Sequence, residues 1–207
     1  MPILDCIRDG SLYESARWHN AVFVGRDDKG KAHYAAMRGT IGNFKRDADG
    51  SDKHFGFVLP PINKGSDTVA VFESAVDALS HQSLCLDFDG WRLSLGCTAL
   101  AALTNFLERH GNVNSVLVCT DKDKAGNIAA AKIAELQLQD LSQVTSQGIS
   151  VVRLLPPDGK KDWNDALVAF RNEMKPSLIS RLEAAKEAAA EENNYAGRGR
   201  ASVSLCL

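Results

Sequence analysis

The sequence predicts an α/β fold in which a wound parallel sheet of four strands is flanked by helices. A small antiparallel β subdomain precedes the sheet and a helix follows it. Four short apolar runs between residues 67 and 155 are typical of fully buried strands. Helical segments alternate with these runs, which indicates parallel βαβ units. Nearer the N-terminus, two strand-like runs are joined by Asp27–Lys31, whose Gly30 suits a hairpin turn.

We assign residues 1–62 to the N-terminal α+β subdomain. Its predicted elements are a short helix, two hairpin strands and a third strand: Ile3–Arg8, Ala21–Arg26, Ala32–Arg38 and His54–Leu59. The polar segment Lys45–Lys53, before the third strand, predicts a loop. Pro60 and Pro61 end that strand, because proline has no N–H to donate to a ladder.

We assign residues 67–172 to the domain that holds the wound sheet. Its four strands are predicted at Val69–Phe72, Trp91–Leu95, Val116–Cys119 and Ile149–Leu155. Its helices are predicted at Ser74–Gln82, Thr98–His110 and Asn127–Leu141, with Thr98 as an N-cap and a last helix that ends near Phe170. The stretch 175–194 has one apolar face and predicts a C-terminal helix for packing or oligomerisation. Residues 195–207, rich in Gly, Arg and Ser, predict a disordered tail.

The composition is that of an ordinary globular protein. With a net charge of −2, any contact with nucleic acid must come from a local basic patch. The five cysteines form no CxxC pair and have no nearby histidine at zinc-ligand spacing, which excludes a zinc ribbon within this sequence and indicates reduced thiols. Met1–Gly10 lacks the apolar core of a signal peptide, and no apolar run approaches membrane-spanning length. We therefore expect a cytoplasmic location and no membrane partner.

Three acidic residues follow predicted buried strands. Asp121 and Asp123 lie between one strand and the helix predicted to begin at Asn127, and Glu73 directly follows another strand. Since the carboxyl ends of parallel strands meet at one edge of a sheet, these side chains are expected to share a cleft. Like charges held together there repel, and a hard cation relieves the repulsion. The pattern predicts a site for Mg²⁺, with Mn²⁺ as a substitute, completed by phosphate oxygens.

The aspartate pair has a purely structural alternative, a solvated turn with a helix N-cap, where aspartate is favoured. A calcium-binding loop is excluded, because its fifth and twelfth positions would be Ala125 and Lys132 rather than oxygen ligands. A phosphatase-type nucleophile is disfavoured, because that aspartate is expected on the first strand of the sheet rather than the third.

The chemically notable segments occur in the order VFESAVDALS, SLGCTAL, VLVCTDKDKAG and KKDWNDAL. Together they resemble the Toprim domain, the metal-binding fold of bacterial primases, topoisomerases and some nucleases, from about Asp67 to Phe170. A DxD pair alone is a weak signal, whereas the ordered set is strong. KDWND after the last strand looks most like the Toprim proteins of phages, plasmids and conjugative elements. Upstream segments such as HNAVFVG and GSDK resemble the end of a domain of unknown function that precedes Toprim in mobile-element proteins.

This resemblance implies roles for the matching residues. Glu73 corresponds to the glutamate that acts as general acid/base or metal ligand, and Asp121 and Asp123 correspond to the Mg²⁺ ligands of the catalytic site. The KDWND motif and the glycine after the second strand supply the implied substrate-binding residues: Lys161, Asp162, Asn164 and Gly96.

Two further assignments have structural alternatives. Asp162, with Asp165 three residues later, is as typical of a helix N-terminus as of a metal or substrate contact, and Trp163 would then pack against the sheet. The N-terminal subdomain carries a basic group suited to phosphate: Arg38, Lys45, Arg46, Lys53 and His54. Arg38 and Lys53 are the predicted substrate contacts in that group, although a solvated loop explains any single member.

The resemblance implies Mg²⁺-dependent phosphodiester chemistry, as primase-like nucleotidyl transfer in the replication or mobilisation of a mobile element. The implied partners are DNA or RNA, nucleotides, and a helicase or an upstream zinc-ribbon domain of a longer protein. An Mg²⁺-dependent nuclease would use the same site, and a third interpretation is a non-catalytic module that binds nucleic acid or nucleotides. A topoisomerase would need a tyrosine nucleophile in another domain, which this sequence does not supply.

Overall fold

A computed structural model describes residues 2–96, 100–139, 148–175, 180 and 186. The chain divides into two compact units, Met1–Leu167 and Val168–Leu207. In the second unit, the described residues 168–175, 180 and 186 are helical. Thr98, most of the predicted C-terminal helix 175–194, and the predicted tail 195–207 lie outside the described residues. Among the helices described, none is both long and apolar enough to cross a membrane.

The N-terminal part of the first unit contains one helix and a four-stranded antiparallel sheet in the order β1-β2-β3-β4. These elements are α1 at Pro2–Arg8 and β1 to β4 at Leu12–Glu14, Ala21–Arg26, Ala32–Arg38 and Lys45–Asp47. The predicted hairpin is confirmed, with Gly30 at a φ of 80° and Asp27 N–H donating to the Lys31 carbonyl oxygen at 3.0 Å. The prediction of a loop throughout Lys45–Lys53 is wrong, because the first three residues pair with β3.

The second sheet contains the four predicted parallel strands and one additional antiparallel edge strand, in the order β5-β7-β6-β8-β9. Its strands are β5 at Val58–Leu59, β6 at Thr68–Phe72, β7 at Trp91–Ser94, β8 at Ser115–Val118 and β9 at Ser150–Arg153.

The prediction of a strand at His54–Leu59 within the N-terminal subdomain is wrong both in the length of the strand and in the sheet to which it belongs. Only Val58 and Leu59 form a strand, and they pair with β7 of the second sheet. Gly56 permits this crossing, because a Cβ there would overlap the carbonyl oxygen of Ser94. On the other side, a Cβ on Gly25 of β2 would lie 2.6 Å from the Gly56 carbonyl oxygen. The chain therefore passes between the two sheets at a point where no side chain fits.

Three helices follow strands of the second sheet: α2 at Ala75–Leu84, α3 at Ala101–Arg109 and α4 at Lys124–Gln139. Ser74 caps α2 by accepting a hydrogen bond from the N–H of Asp77. The helix α4 begins three residues before the predicted Asn127, because both the backbone and the side chain of Asp123 accept hydrogen bonds from its first turn. After β9 come a short 3-10 helix at Pro157–Gly159 and a helix that begins at residue 163.

The core lies on both faces of the parallel sheet. Val69 and Val71 of β6 pack on the face covered by α3, whereas Ala70 and Phe72 pack on the face covered by α2 and the N-terminal sheet. All four side chains are completely buried. Burial on both faces explains why β6 reads as an uninterrupted apolar run rather than as an alternating one.

Candidate active site

The carboxyl edge of the parallel sheet brings Glu73 and Asp121 together. The strands β6 and β8 are neighbours in register, with Val71 opposite Val118, so the residues that follow them emerge side by side. The N–H of Asp121 donates a hydrogen bond to Glu73 Oε1 at 3.2 Å. Gly126 allows this approach, because a Cβ there would overlap the Asp121 carbonyl oxygen and lie 2.8 Å from Glu73 Oε1.

Asp123 and Lys161 complete the charged cluster. Asp123 Oδ1 accepts a hydrogen bond from the N–H of Gly126 at 3.0 Å. The ammonium nitrogen of Lys161 lies 3.4 Å from Asp123 Oδ2 and 3.8 Å from Asp121 Oδ2. A backbone hydrogen bond of 2.7 Å, from Lys122 N–H to the Lys161 carbonyl oxygen, holds the two segments beside each other. A positive charge therefore sits between the two aspartates.

The three acids differ in their protonation behaviour. Burial, and then the charge of Glu73, raise the pKa of Asp121 to about 7. Burial likewise raises the pKa of Glu73, with contributions from the charges of Asp123 and Asp77. The N–H of Gly126 lowers the pKa of Asp123, and Lys161 lowers it further. Asp123 is thus held ionised, whereas Asp121 and Glu73 carry negative charge that the protein compensates incompletely.

The KDWND motif is anchored by its tryptophan. Trp163 is 3% exposed, its indole N–H donates to the Cys119 carbonyl oxygen at 3.1 Å, and its ring packs edge-on against Phe72. The expected packing of Trp163 against the sheet is therefore observed. Asp162 caps the helix that follows, since its Oδ1 accepts the N–H of Asp165 at 2.7 Å. The structural alternative for Asp162 is thus present, and any contact of this residue with substrate stays a prediction.

Asp77 is a site residue that sequence reasoning missed. It is 7% exposed, and its Oδ1 accepts the backbone N–H of Asn164 at 3.1 Å while its Oδ2 accepts the Ser74 hydroxyl at 2.5 Å. Burial raises the pKa of Asp77, and the charge of Asp162 adds to this effect. Asp77 therefore fastens the KDWND segment to the start of α2. The Ser-x-x-Asp spacing signals a helix cap, but the partner Asn164 is 87 residues away.

Arg153 is a second residue that sequence reasoning missed. It is the last residue of β9, and its guanidinium donates to backbone carbonyl oxygens on both sides of the aspartate pair. A single arginine at the end of a strand carries no sequence signal for such a contact.

The remaining predicted substrate residues lie around the N-terminal sheet. Gly96 has a φ of 69°, and the Tyr34 hydroxyl occupies the space that its Cβ would take. Tyr34 in turn donates to Asp47 Oδ1 at 2.8 Å, and Lys53 forms an ion pair with the same carboxylate. Arg38 donates to the carbonyl oxygen of its neighbour Met37.

Lys45 is a basic residue of that sheet whose charge acts on the acidic cluster. Its charge lowers the pKa of both Glu73 and Asp77, against the larger effect of burial. Lys45 lies opposite Arg38 in the register of the antiparallel strands β3 and β4. The N-terminal sheet therefore contributes positive charge to the cleft through Lys45.

The donor set suits a divalent cation in an open site. Within the described ranges, no group of three Asp, Glu, His or Cys residues is already arranged to hold a metal ion. Asp121 and Asp123 nevertheless share a cation, the ammonium of Lys161, and burial, followed by the charge of Glu73, raises the pKa of Asp121, so a further cation would stabilise its ionised form. Mg²⁺ commonly takes one or two carboxylates and completes its shell with water and phosphate oxygens. The residues present fit that pattern.

The fold is that of DNA primase catalytic domains. The primase fragment of the bacteriophage T7 primase–helicase protein aligns with a TM-score of 0.53 and 16% identity, over 83% of this chain and 67% of that one. A DNA primase domain from Pseudomonas aeruginosa aligns with a TM-score of 0.50 and 20% identity, over 84% of this chain and 58% of that one. This chain therefore spans less than two thirds of the Pseudomonas domain.

A third structure adds to this set. In a complex of the bacteriophage T7 lagging-strand DNA polymerase with primase domains, an RNA/DNA hybrid and dTTP, one chain aligns with a TM-score of 0.54 and 15% identity, over 81% of both chains. A comparison with curated protein sequences finds no match.

Sequence families agree with the fold. Residues 70–167 match the Toprim-like family, and residues 3–64 match a protein family of unknown function, DUF3991. The chain thus carries a Toprim-like domain with the domain of unknown function in front of it, which confirms the resemblance drawn from the sequence.

Proposed function

We propose that this protein carries out Mg²⁺-dependent, primase-like nucleotidyl transfer on nucleic acid. The proposal is supported mainly by the charged cluster at the carboxyl edge of a Toprim-like sheet. There Glu73 accepts a hydrogen bond from Asp121, and the Lys161 ammonium lies between the carboxylates of Asp121 and Asp123. Toprim domains generally bind divalent metal ions. Burial makes the charge on Asp121 unfavourable, and a divalent cation would relieve it.

In this proposal each residue has a distinct task. Asp121 and Asp123 would hold the cation, whose chemistry would be to neutralise charge on the substrate phosphate. Glu73 accepts a hydrogen bond from the N–H of Asp121. In this proposal its carboxylate either accepts a proton or coordinates the metal. Lys161 and Lys45 supply positive charge for the substrate phosphates.

The wider setting is also a proposal. The fold is shared with a fragment of a phage primase–helicase protein, which supports a replicative role in a mobile element and a helicase as partner. The partial coverage of the Pseudomonas primase domain supports further segments, such as a zinc-ribbon domain, in a longer protein. DNA or RNA and nucleotides are the proposed ligands, and the cytoplasm is the proposed location.

The test is a primer-synthesis assay with labelled nucleotides, Mg²⁺ and a single-stranded DNA template, run beside a cleavage assay on the same strand. Glu73→Gln and Asp121→Asn are expected to lose at least about 100-fold in product formation, because each removes a charge from the reacting centre. Glu108→Gln neutralises an exposed carboxylate on α3 and is the matched control.

The outcomes separate the three candidate activities. Primer synthesis that the two site variants abolish supports the proposal. Cleavage without synthesis would indicate a nuclease that uses the same site. Binding of nucleic acid with neither product, in the full-length protein, would indicate a binding module and overturn the proposed enzyme.

A further inference from the structure

Arg153 contacts one short segment of the chain with both terminal nitrogens. Its Nη1 donates to the Gly126 carbonyl oxygen at 3.0 Å. Its Nη2 donates to the carbonyl oxygens of Thr120 at 3.2 Å and Asp121 at 2.9 Å, and lies 3.3 Å from Asn127 Oδ1. We call the segment 120–127 the DxD loop, since it carries both aspartates and runs from the end of β8 into the first turn of α4.

The DxD loop is folded so that its backbone oxygens converge on this guanidinium. Thr120, which is fully buried, donates its hydroxyl to the Gly126 carbonyl oxygen at 2.9 Å and so closes the loop on itself. The carboxylates of Asp121 and Asp123 meet a different cation, the ammonium of Lys161. Two positive groups therefore hold the loop, one through its backbone and one through its side chains.

The geometry of these contacts requires an arginine. A lysine ammonium is a single point of donation, whereas the planar guanidinium presents several N–H groups in a fixed fork. Arg153 keeps this arrangement although its Nε is buried without a hydrogen-bond partner among the described residues. An unpaired buried donor is unfavourable. The contacts to the loop must therefore outweigh that penalty in the folded protein.

We propose that Arg153 is a positioning residue that sets the separation of the Asp121 and Asp123 carboxylates, and through it the affinity of the site for a divalent cation. The inference rests on the proposed function for the role of the cation. The claim that Arg153 orders the DxD loop does not rest on the proposed function, because it applies whether or not a metal binds. Hydrogen bonds that orient the ligands of a metal site typically change its affinity by about 10–100-fold when they are removed.

The test uses the full chain with Arg153→Ala and Arg153→Lys, and Arg109→Ala as the matched control. Arg109 also donates through its guanidinium, to Asn105 Oδ1 and Asp28, and both of these partners lie outside the DxD loop. Calorimetric titration with Mn²⁺ is expected to show affinity reduced about tenfold or more in both Arg153 variants. Arg109→Ala should bind Mn²⁺ like the unmodified protein, and added guanidinium ion should partly restore binding to Arg153→Ala.

Hydrogen exchange without metal supplies an independent readout. The N–H groups of Asp121 and Gly126 are hydrogen-bonded to Glu73 and Asp123, and they are expected to exchange faster in the Arg153 variants. If the unmodified protein binds no Mn²⁺, the proposed function fails, while the exchange rates still decide the role of Arg153. Unchanged Mn²⁺ affinity with unchanged exchange would overturn the inference, as would an equal loss of affinity in Arg109→Ala. Arg153→Lys retains the charge and serves if Arg153→Ala does not fold.

Discussion

Replacing Asp121 with asparagine is expected to stabilise the metal-free protein at neutral and alkaline pH. The folded state raises the pKa of Asp121 from 3.8 to about 7, mainly by burial. Each pKa unit corresponds to about 1.4 kcal/mol, so ionisation of Asp121 opposes folding by up to about 4 kcal/mol. That pKa already includes the opposing effect of Lys161, and because the Asp121 side chain keeps some contact with solvent we expect a net gain of about 1–3 kcal/mol.

The direction of this change in stability, and its dependence on pH, follow from proton binding to Asp121. Since the folded state holds a proton on Asp121 that the unfolded state has released, stability falls as the pH rises from about 4 to about 7. The difference between Asp121→Asn and the unmodified protein should therefore be small near about pH 4 and reach its full size near about pH 8. Urea unfolding in EDTA at both values measures it, and thermal unfolding should show a rise of several degrees.

Asp123→Asn is the matched control, because its effect should have the opposite sign. The Gly126 N–H and Lys161 lower the pKa of Asp123, so its ionised form supports folding, and this support is lost only as the pH falls towards that lowered pKa. A saturating divalent cation should stabilise the unmodified protein and not Asp121→Asn, by about 2.7 kcal/mol at a hundred times the dissociation constant. If Asp121→Asn is the less stable protein at about pH 8 in EDTA, the electrostatic account of the site is wrong.

Two further predictions concern neighbours of the aspartates. Gly126→Ala should destabilise the protein by about 1–3 kcal/mol in urea unfolding, because its Cβ would overlap the Asp121 carbonyl oxygen, although helix propensity favours alanine. Gly111→Ala, where a Cβ meets nothing within 4 Å, is the control, and an equal effect of the two would contradict the overlap. Lys161→Met should raise Mn²⁺ affinity a few-fold by calorimetry, because a competing charge leaves the vicinity of Asp121 and Asp123. Weaker Mn²⁺ binding in that variant would show that Lys161 supports the cation site rather than competing with the cation.

Local patterns were sufficient for the elements that are long or uniformly buried. The hairpin strands Ala21–Arg26 and Ala32–Arg38 occur where they were predicted, because apolar runs and the turn at Gly30 are local signals. The short strands Leu12–Glu14 and Lys45–Asp47 were missed, because three largely exposed residues produce no periodic pattern. Their pairing depends on β2 and β3, which provide the hydrogen-bonding edges.

The acidic residues of the site could also be predicted from local sequence patterns. Glu73, Asp121 and Asp123 directly follow buried strands, and a parallel arrangement places such residues at one edge of the sheet. Asp77 and Arg153 were missed because their partners are distant in sequence: Asn164 in one case and the DxD loop in the other. The roles predicted for Gly96, Arg38 and Lys53 stay predictions, with Tyr34, Met37 and Asp47 as their observed neighbours.

The sequence by itself determined the alternation of parallel strands and helices and the placement of three acids after buried strands, since both follow from periodicity and strand ends. Only the tertiary structure decided the charge state of those acids, because burial and distance set a pKa and neither is a local property. It also decided that Val58–Leu59 joins the parallel sheet and that Arg153 holds the DxD loop. Both depend on the strand order β5-β7-β6-β8-β9, which brings together residues that the chain keeps apart.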